Sequence, residues 1–191
     1  MTHAPRSPFL AIPAGHYVAR NALAFAIRDG FPVSPGHSLV IPFREVATWF
    51  DATVDEQHAI MELVSVVKRE LDGGVAWPDG RVVIPDGYNV GFNAGAAAGQ
   101  TVMHLHVHVI PRFQGDVVDP RGGVRHVIPG RGNYLAKSAP MSTGGDEDKF
   151  VDLVREAFAE AREIACRAGR YRYAAGASTN QCLRCQSSAS G

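Results

Sequence analysis

Apolar positions along this chain recur at two periods, and the change of period marks its elements. Between Thr53 and Asp72, residues Ile60, Leu63, Val64, Val67 and Leu71 fall at i, i+3, i+4, i+7 and i+11, one stripe of a helix. Thr53, with Glu56 three residues on, forms a capping-box pattern at its start, and Gly73 supplies a left-handed stop. A second stripe, Phe150, Val154, Ala157, Phe158, Ala161 and Ile164, predicts a helix over about residues 146–167, ended by Gly169. The rest of the first 110 residues reads as short β-rich pieces over 9–12, 22–27, 38–41, 81–84 and 88–92. Pro32, Pro35, Gly36 and the run Pro85-Asp86-Gly87 punctuate them. The strongest alternation runs from Thr101 to Ile110 and predicts a strand. Short strands with helices set apart point to the α+β class, an antiparallel sheet carrying helices on one side.

A length of 191 residues allows one domain. Residues 1–8, with two prolines and small polar side chains, read as a flexible lead-in; residues 9–170 as the folded domain; residues 171–191, without periodicity, as a disordered tail. Lys plus Arg and Asp plus Glu both number 19, so the net charge is zero. That balance argues against a general nucleic-acid or membrane-surface binder. No apolar run approaches the roughly 18 residues that a bilayer-spanning helix requires, and no secretory leader is read in Met1–Pro13. Three cysteines (Cys166, Cys182 and Cys185) make no disulfide framework, so a reducing cytoplasm is expected. Cys182 and Cys185 form a lone CxxC with too few partners for a zinc knuckle, and no metal site is expected there.

Within the alternating stretch, His104, His106 and His108 share one side while Leu105, Val107 and Val109 take the other. The apolar side has an obvious core role, but three imidazoles make poor core, since each carries nitrogens that need partners. At about 3.3 Å per residue the outer two lie roughly 13 Å apart, too far for one metal ion to collect all three. Acid–base or nucleophilic chemistry on an anionic substrate fits better. With an ordinary pKa near 6.5, roughly three-quarters of such imidazoles are neutral at pH 7. A neutral ring nitrogen attacks phosphorus, and a protonated neighbour donates to a phosphate oxygen. Upstream, Gly91, Gly95 and Gly99 recur every four residues in a loop suited to close backbone approach by an anion.

Residues 88–112, with Gly99-Gln100-Thr101-Val102 before the histidines and Pro111-Arg112 after them, resemble the signature of the histidine triad superfamily of nucleotide hydrolases and transferases. Its fragile-histidine-triad and bacterial dinucleoside polyphosphate hydrolase branch is the nearest in pattern. The run Asp29-Gly30-Phe31-Pro32-Val33-Ser34-Pro35-Gly36-His37, continuing to Pro42, resembles the N-terminal hallmark of the same superfamily.

The resemblance implies a five-stranded antiparallel sheet with one long helix, joined to its twin in a homodimer. It implies cleavage of a nucleoside phosphoanhydride at the α-phosphorus, with His106 as the nucleophile of a nucleotidyl-histidine intermediate. His108 would contact the α-phosphate and bridging oxygen, His104 would support the nucleophile, and His37 would buttress the row from the neighbouring strand. Ile27 matches a wall of the base pocket and Asp29 the ligand of the ribose hydroxyls. Asn93, Gln100 and Thr101 match binding positions for phosphate or leaving group. Arg121 and Arg125 suit a grip on distal phosphates, since guanidinium pairs with phosphate bidentately. No cofactor is implied for the chemical step, and a divalent ion such as Mg accompanies the polyphosphate at most. Resolution of the intermediate by phosphate, phosphoramidate cleavage and a non-catalytic nucleotide sensor remain open alternatives.

Overall fold

The computed structural model describes residues 7–130 and Gly132. The helix expected over about 146–167, the tail 171–191 and all three cysteines lie outside the described residues.

Five strands form one antiparallel sheet: β1 (Ala19–Arg20), β2 (Ala24–Arg28), β3 (Ser38–Pro42), β6 (Gly87–Gly91) and β7 (Val107–Arg112). Their order is β1-β2-β3-β7-β6, which places the histidine-bearing strand inside the sheet rather than on its edge. Two short strands, β4 (Val75–Ala76) and β5 (Val82–Val83), make a separate ribbon.

The one long helix, α1 (Val54–Leu71), starts as its sequence predicts. The Thr53 side chain accepts from the Glu56 backbone, and the Glu56 carboxylate accepts from the Thr53 backbone. Glu56 is gripped as well by Arg44 through two bonds of 2.8 and 2.7 Å. That guanidinium, above all, holds the carboxyl down at about 2. The helix end differs from expectation, because Gly74 (φ 107°) rather than Gly73 takes the left-handed conformation.

The α1 stripe of Ile60, Leu63, Val64, Val67 and Leu71 packs on Ala24, Ala26, Val40, Val107 and Val109. Two alanines on β2 let the helix approach closely, and the larger Phe25 and Ile27 point to the opposite face. There they join Leu39 and Ile41 beneath Phe9, Leu10, Ile12, Tyr17 and Phe43. Gly36 marks where β3 passes the end of α1: at φ 81°, a side chain there would meet Leu71 at 2.8 Å.

Two expected strands took other forms. The 9–12 segment is a 3-10 turn, Pro8–Ala11, because Pro8 suits a first helical position and the segment crosses the sheet face instead of reaching an edge. Ser7 and Pro8, assigned to the lead-in, belong to the fold, with Ser7 only 5% exposed. The 101–110 strand begins its ladder only at Val107. Before that point the backbone serves other partners, Leu105 N–H donating to the Val46 carbonyl and the His104 carbonyl accepting from a side chain. The alternation of sides survives without the ladder. Leu105, Val107 and Val109 enter the α1 core, while the rings of His104 and His106 pack against Phe9 on the far face.

Candidate active site

Each histidine of the row has a different environment. His104 is fully buried. Its Nε2–H donates to the Pro42 carbonyl at 3.0 Å, so in the neutral ring Nδ1 accepts the Ser7 hydroxyl proton at 2.7 Å. Burial, first of all, lowers its pKa and keeps the ring neutral. Ser7 stands at the N-cap of its short turn yet makes no cap bond, because its hydroxyl serves His104.

His106 is half-buried, and its Nδ1 lies 2.8 Å from the His104 carbonyl. A carbonyl only accepts, so Nδ1 carries the hydrogen and Nε2 keeps a lone pair. Phe9 meets the ring edge-on with centroids 5.1 Å apart, and His108 does so at the same separation. A ring fixed in this tautomer offers Nε2 as nucleophile or base.

His108 sits in a row of residues crossing the sheet, Ile27–Leu39–His108–Gly91. Gly91 leaves one flank of the imidazole without a side chain. His108 Nδ1 is 3.0 Å from Nε2 of His37, which is 3% exposed. His37 Nδ1 faces both Asp29 Oδ2 at 3.2 Å and the Val33 backbone N–H at 3.3 Å. Burial is the main cause that lowers both imidazoles, His108 to about 4, with neighbouring histidines adding to the effect on His108. In His37 the Asp29 carboxylate opposes this shift without overcoming it. That downward shift favours a neutral His37 ring, whose Nδ1 therefore meets the Asp29 carboxylate without a full ion pair and offers either its one hydrogen to Asp29 or a lone pair to Val33. Asp29, His37 and His108 also bring one metal-ligating atom each within 4.8 Å, although a hydrogen bond already joins the two histidines.

The other sequence candidates divide. Ile27 forms part of the apolar floor under Phe9, Leu10 and Ile12, on the histidine face. Asn93 is half-buried and Thr101 exposed; neither side chain makes a hydrogen bond among the described residues, so both are available to a ligand. The loop between them turns at Gly95 and Gly99, both at φ 87° with open space around them. Gln100 differs from expectation. It is buried, accepting from Gly95 N–H at 2.8 Å and donating to the Ala47 and Val102 carbonyls at 2.6 and 3.0 Å. Its amide is consumed in shaping the loop. Arg121 is held by Asp119 at 2.7 Å. Its turn and that of Arg125 pack toward Asn89, which pairs with Ile110, beyond the histidines along β7. A cleft of about 480 Å³ lies at that end, lined in part by Val33, Ser34, Asn89, Ile110 and Arg112.

Sequence reasoning missed Ser7, Phe9 and Val33 as parts of the site. Only Ser7-Pro8, a polar residue followed by proline, carried a readable signal, that of a helical turn. Nothing in a linear pattern tells that a distant serine will sit on a buried imidazole.

The sequence matches the HIT domain family over residues 13–115. Among curated proteins, an AP-4-A phosphorylase of Mycobacterium tuberculosis is 37% identical over 118 residues, 59% of this chain and 56% of that protein. A bis(5'-nucleosyl)-tetraphosphatase (asymmetrical) of Schizosaccharomyces pombe is 36% identical over 109 residues, 56% of each. The chain thus spans little more than half the length of these relatives. A crystal structure of a HIT family protein from Bacillus anthracis superposes with a TM-score of 0.53 at 23% identity, over 83% of this chain and 98% of that one. That likeness speaks to the fold.

Proposed function

Because the chain belongs to the HIT domain family, we propose that it is a nucleotide hydrolase acting on a nucleoside phosphoanhydride of the dinucleoside polyphosphate kind. The names of the phosphorylase and tetraphosphatase relatives support the substrate class. The observation that carries the chemistry is the His106 ring, tied at Nδ1 to the His104 carbonyl, with no hydrogen-bond partner at Nε2 among the described residues.

In this reading Nε2 attacks the α-phosphorus, and the bond from phosphorus to the leaving nucleotide's oxygen breaks. The imidazole becomes cationic as the P–N bond forms, and the His104 carbonyl already faces the Nδ1 proton where that charge is felt. Water then adds to phosphorus and loses a proton, the P–N bond breaks, and a mononucleotide departs with the Nε2 lone pair restored. Dividing the reaction into two displacements lowers each barrier. His108 contacts the α-phosphate, Asn93, Thr101 and the turned glycine loop receive phosphate oxygens, Asp29 meets the ribose, and Ile27 lies under the base. Arg121 reaches distal phosphates only by leaving Asp119, and Gln100 acts through the loop it holds. A divalent ion such as Mg enters as the counter-ion of the polyphosphate.

His106→Ala tests the assignment. Turnover of a dinucleoside tetraphosphate is expected to be abolished while nucleotide still binds, with products identified by mass. Substantial turnover by the pure variant would overturn the nucleophile. In the wild type, a diphosphate product formed only with added phosphate would make the protein a phosphorylase. Nucleotide binding without any product would make it a sensor.

The protein is also proposed to act as a homodimer in the cytoplasm. β6 closes one edge of the sheet among the described residues, with Val90 39% exposed, and antiparallel pairing with its twin would satisfy that edge. Light scattering should give twice the chain mass; a monomer at micromolar concentration would remove the dimer from the scheme. No helix among the described residues is long and apolar enough to cross a membrane.

A further inference from the structure

His37 Nδ1 stands between a donor and an acceptor that it cannot satisfy together. Asp29 Oδ2, at 3.2 Å, requires a hydrogen on Nδ1; the Val33 backbone N–H, at 3.3 Å, requires a lone pair there. A neutral imidazole has one N–H and one lone pair, so the choice at Nδ1 fixes Nε2 in the opposite sense. Nε2 is 3.0 Å from His108 Nδ1, and the choice therefore passes to His108 and out to its Nε2.

Two arrangements follow. When His37 donates to Asp29, its Nε2 accepts from His108 Nδ1–H, and His108 presents a bare Nε2. When His37 instead accepts from Val33, its Nε2–H donates to His108 Nδ1, and His108 presents Nε2–H. We infer that Asp29 is a positioning residue that sets the tautomer of His108 through His37, and that a ligand hydroxyl occupying the Asp29 carboxylate turns His108 from acceptor into donor.

The inference rests on the proposed function, in which Asp29 meets the ribose, and adds a consequence to it. In the resting chain the carboxylate is taken up within the protein, Oδ1 by the Phe31 backbone N–H at 2.9 Å and Oδ2 by His37. A ribose hydroxyl donating to Oδ2 competes for the lone pairs that hold the His37 hydrogen. Val33 N–H is already in place to receive the released nitrogen, so no side chain has to travel. The protons balance. One leaves His37 Nδ1 for solvent by way of the Asp29 carboxylate, one passes from His108 Nδ1 to His37 Nε2, and one arrives at His108 Nε2 from solvent. The net charge of the relay is unchanged. His108 then bears a hydrogen toward the phosphoryl oxygens only when a nucleoside is seated, and an empty site would be a poor catalyst of adventitious phosphate chemistry.

Nitrogen-15 NMR of histidine-labelled full-length protein reads the tautomers directly. In the free protein His108 should be mainly the Nδ1–H form. Saturating adenosine should make Nε2–H the main form, whereas 2',3'-dideoxyadenosine, without the hydroxyls, should not. In Asp29→Ala the Nε2–H form should predominate without any ligand and ignore adenosine. Adenosine that binds, shown by titration calorimetry on the same protein, yet leaves the His108 tautomer unchanged overturns the relay and spares the proposed function. Adenosine that does not bind at all overturns the ribose role itself. A free Asp29→Ala protein still in the Nδ1–H form overturns the relay regardless of ligand.

Discussion

The two faces of the sheet are built on opposite principles. Under α1, small and branched aliphatics meet a helical stripe, and the contact is apolar and repeated over about three turns, from Ile60 to Leu71. On the other face a short turn covers aromatics and histidines, and polar groups are satisfied one by one across long stretches of chain, as with Ser7 and His104. The helical face spreads its stabilisation over many interchangeable contacts. The histidine face adds to its aromatic and aliphatic cluster a few long-range bonds, such as those of Ser7 and Pro42 to His104, that fix rings the proposed chemistry uses. A thin cover also leaves His106 and His108 within reach of solvent, which a helix packed there would prevent.

Substitutions on the two faces should therefore fail in different ways. Ile60→Ala, at a fully buried position under the sheet, removes methylenes from a packed interface and should cost about 2–5 kcal/mol in denaturant unfolding. The turnover per folded molecule should stay close to wild type. Ser7→Ala deletes one hydroxyl and leaves the buried His104 Nδ1 without its donor, at a smaller cost of about 1–3 kcal/mol. Because the carbonyl of His104 holds His106, kcat should fall about tenfold with KM little changed, as a slight misplacement of a reacting group produces. Equal losses of turnover in both variants would erase the distinction between the faces.

The same contrast explains what could be read from the chain. The α1 stripe, its capping box and the side-to-side alternation of 104–109 are local regularities, and each has a physical period that the residues display. The Asp29–His37 pairing was invisible although both residues were marked, because it depends on a turn bringing side chains eight positions apart into contact. The ladder's late start at Val107 was hidden for a related reason: alternation reports which side a residue faces, not which partner its backbone bonds. Gln100 misled because an amide beside a glycine loop suits a ligand and a carbonyl equally well. Only its neighbours, Ala47 and Val102, decided between them.

The smallest expected effect separates the faces by pH rather than by mutation. His37, His104 and His108 all have pKa values held below the ordinary 6.5, each chiefly by burial. The unfolded chain takes up protons near 6.5 that the folded chain refuses. Their contribution to stability is thus fully present above that pH and is lost as the pH falls from 6.5 toward about 4, where His108 titrates in the fold. Glu56, on the helical side, works in a lower window: its carboxylate, held at about 2, contributes above its ordinary 4.5 and is lost only as the pH falls below that value. A decline in melting temperature between pH 7 and 5 consequently belongs to the histidine face. It should be shallower in His108→Asn, which keeps a polar group but cannot take up that proton, and should persist in Glu56→Gln. If His108→Asn declines as steeply as the wild type while Glu56→Gln is flat, the acid sensitivity resides under the helix, and the neutral histidine relay loses its thermodynamic signature.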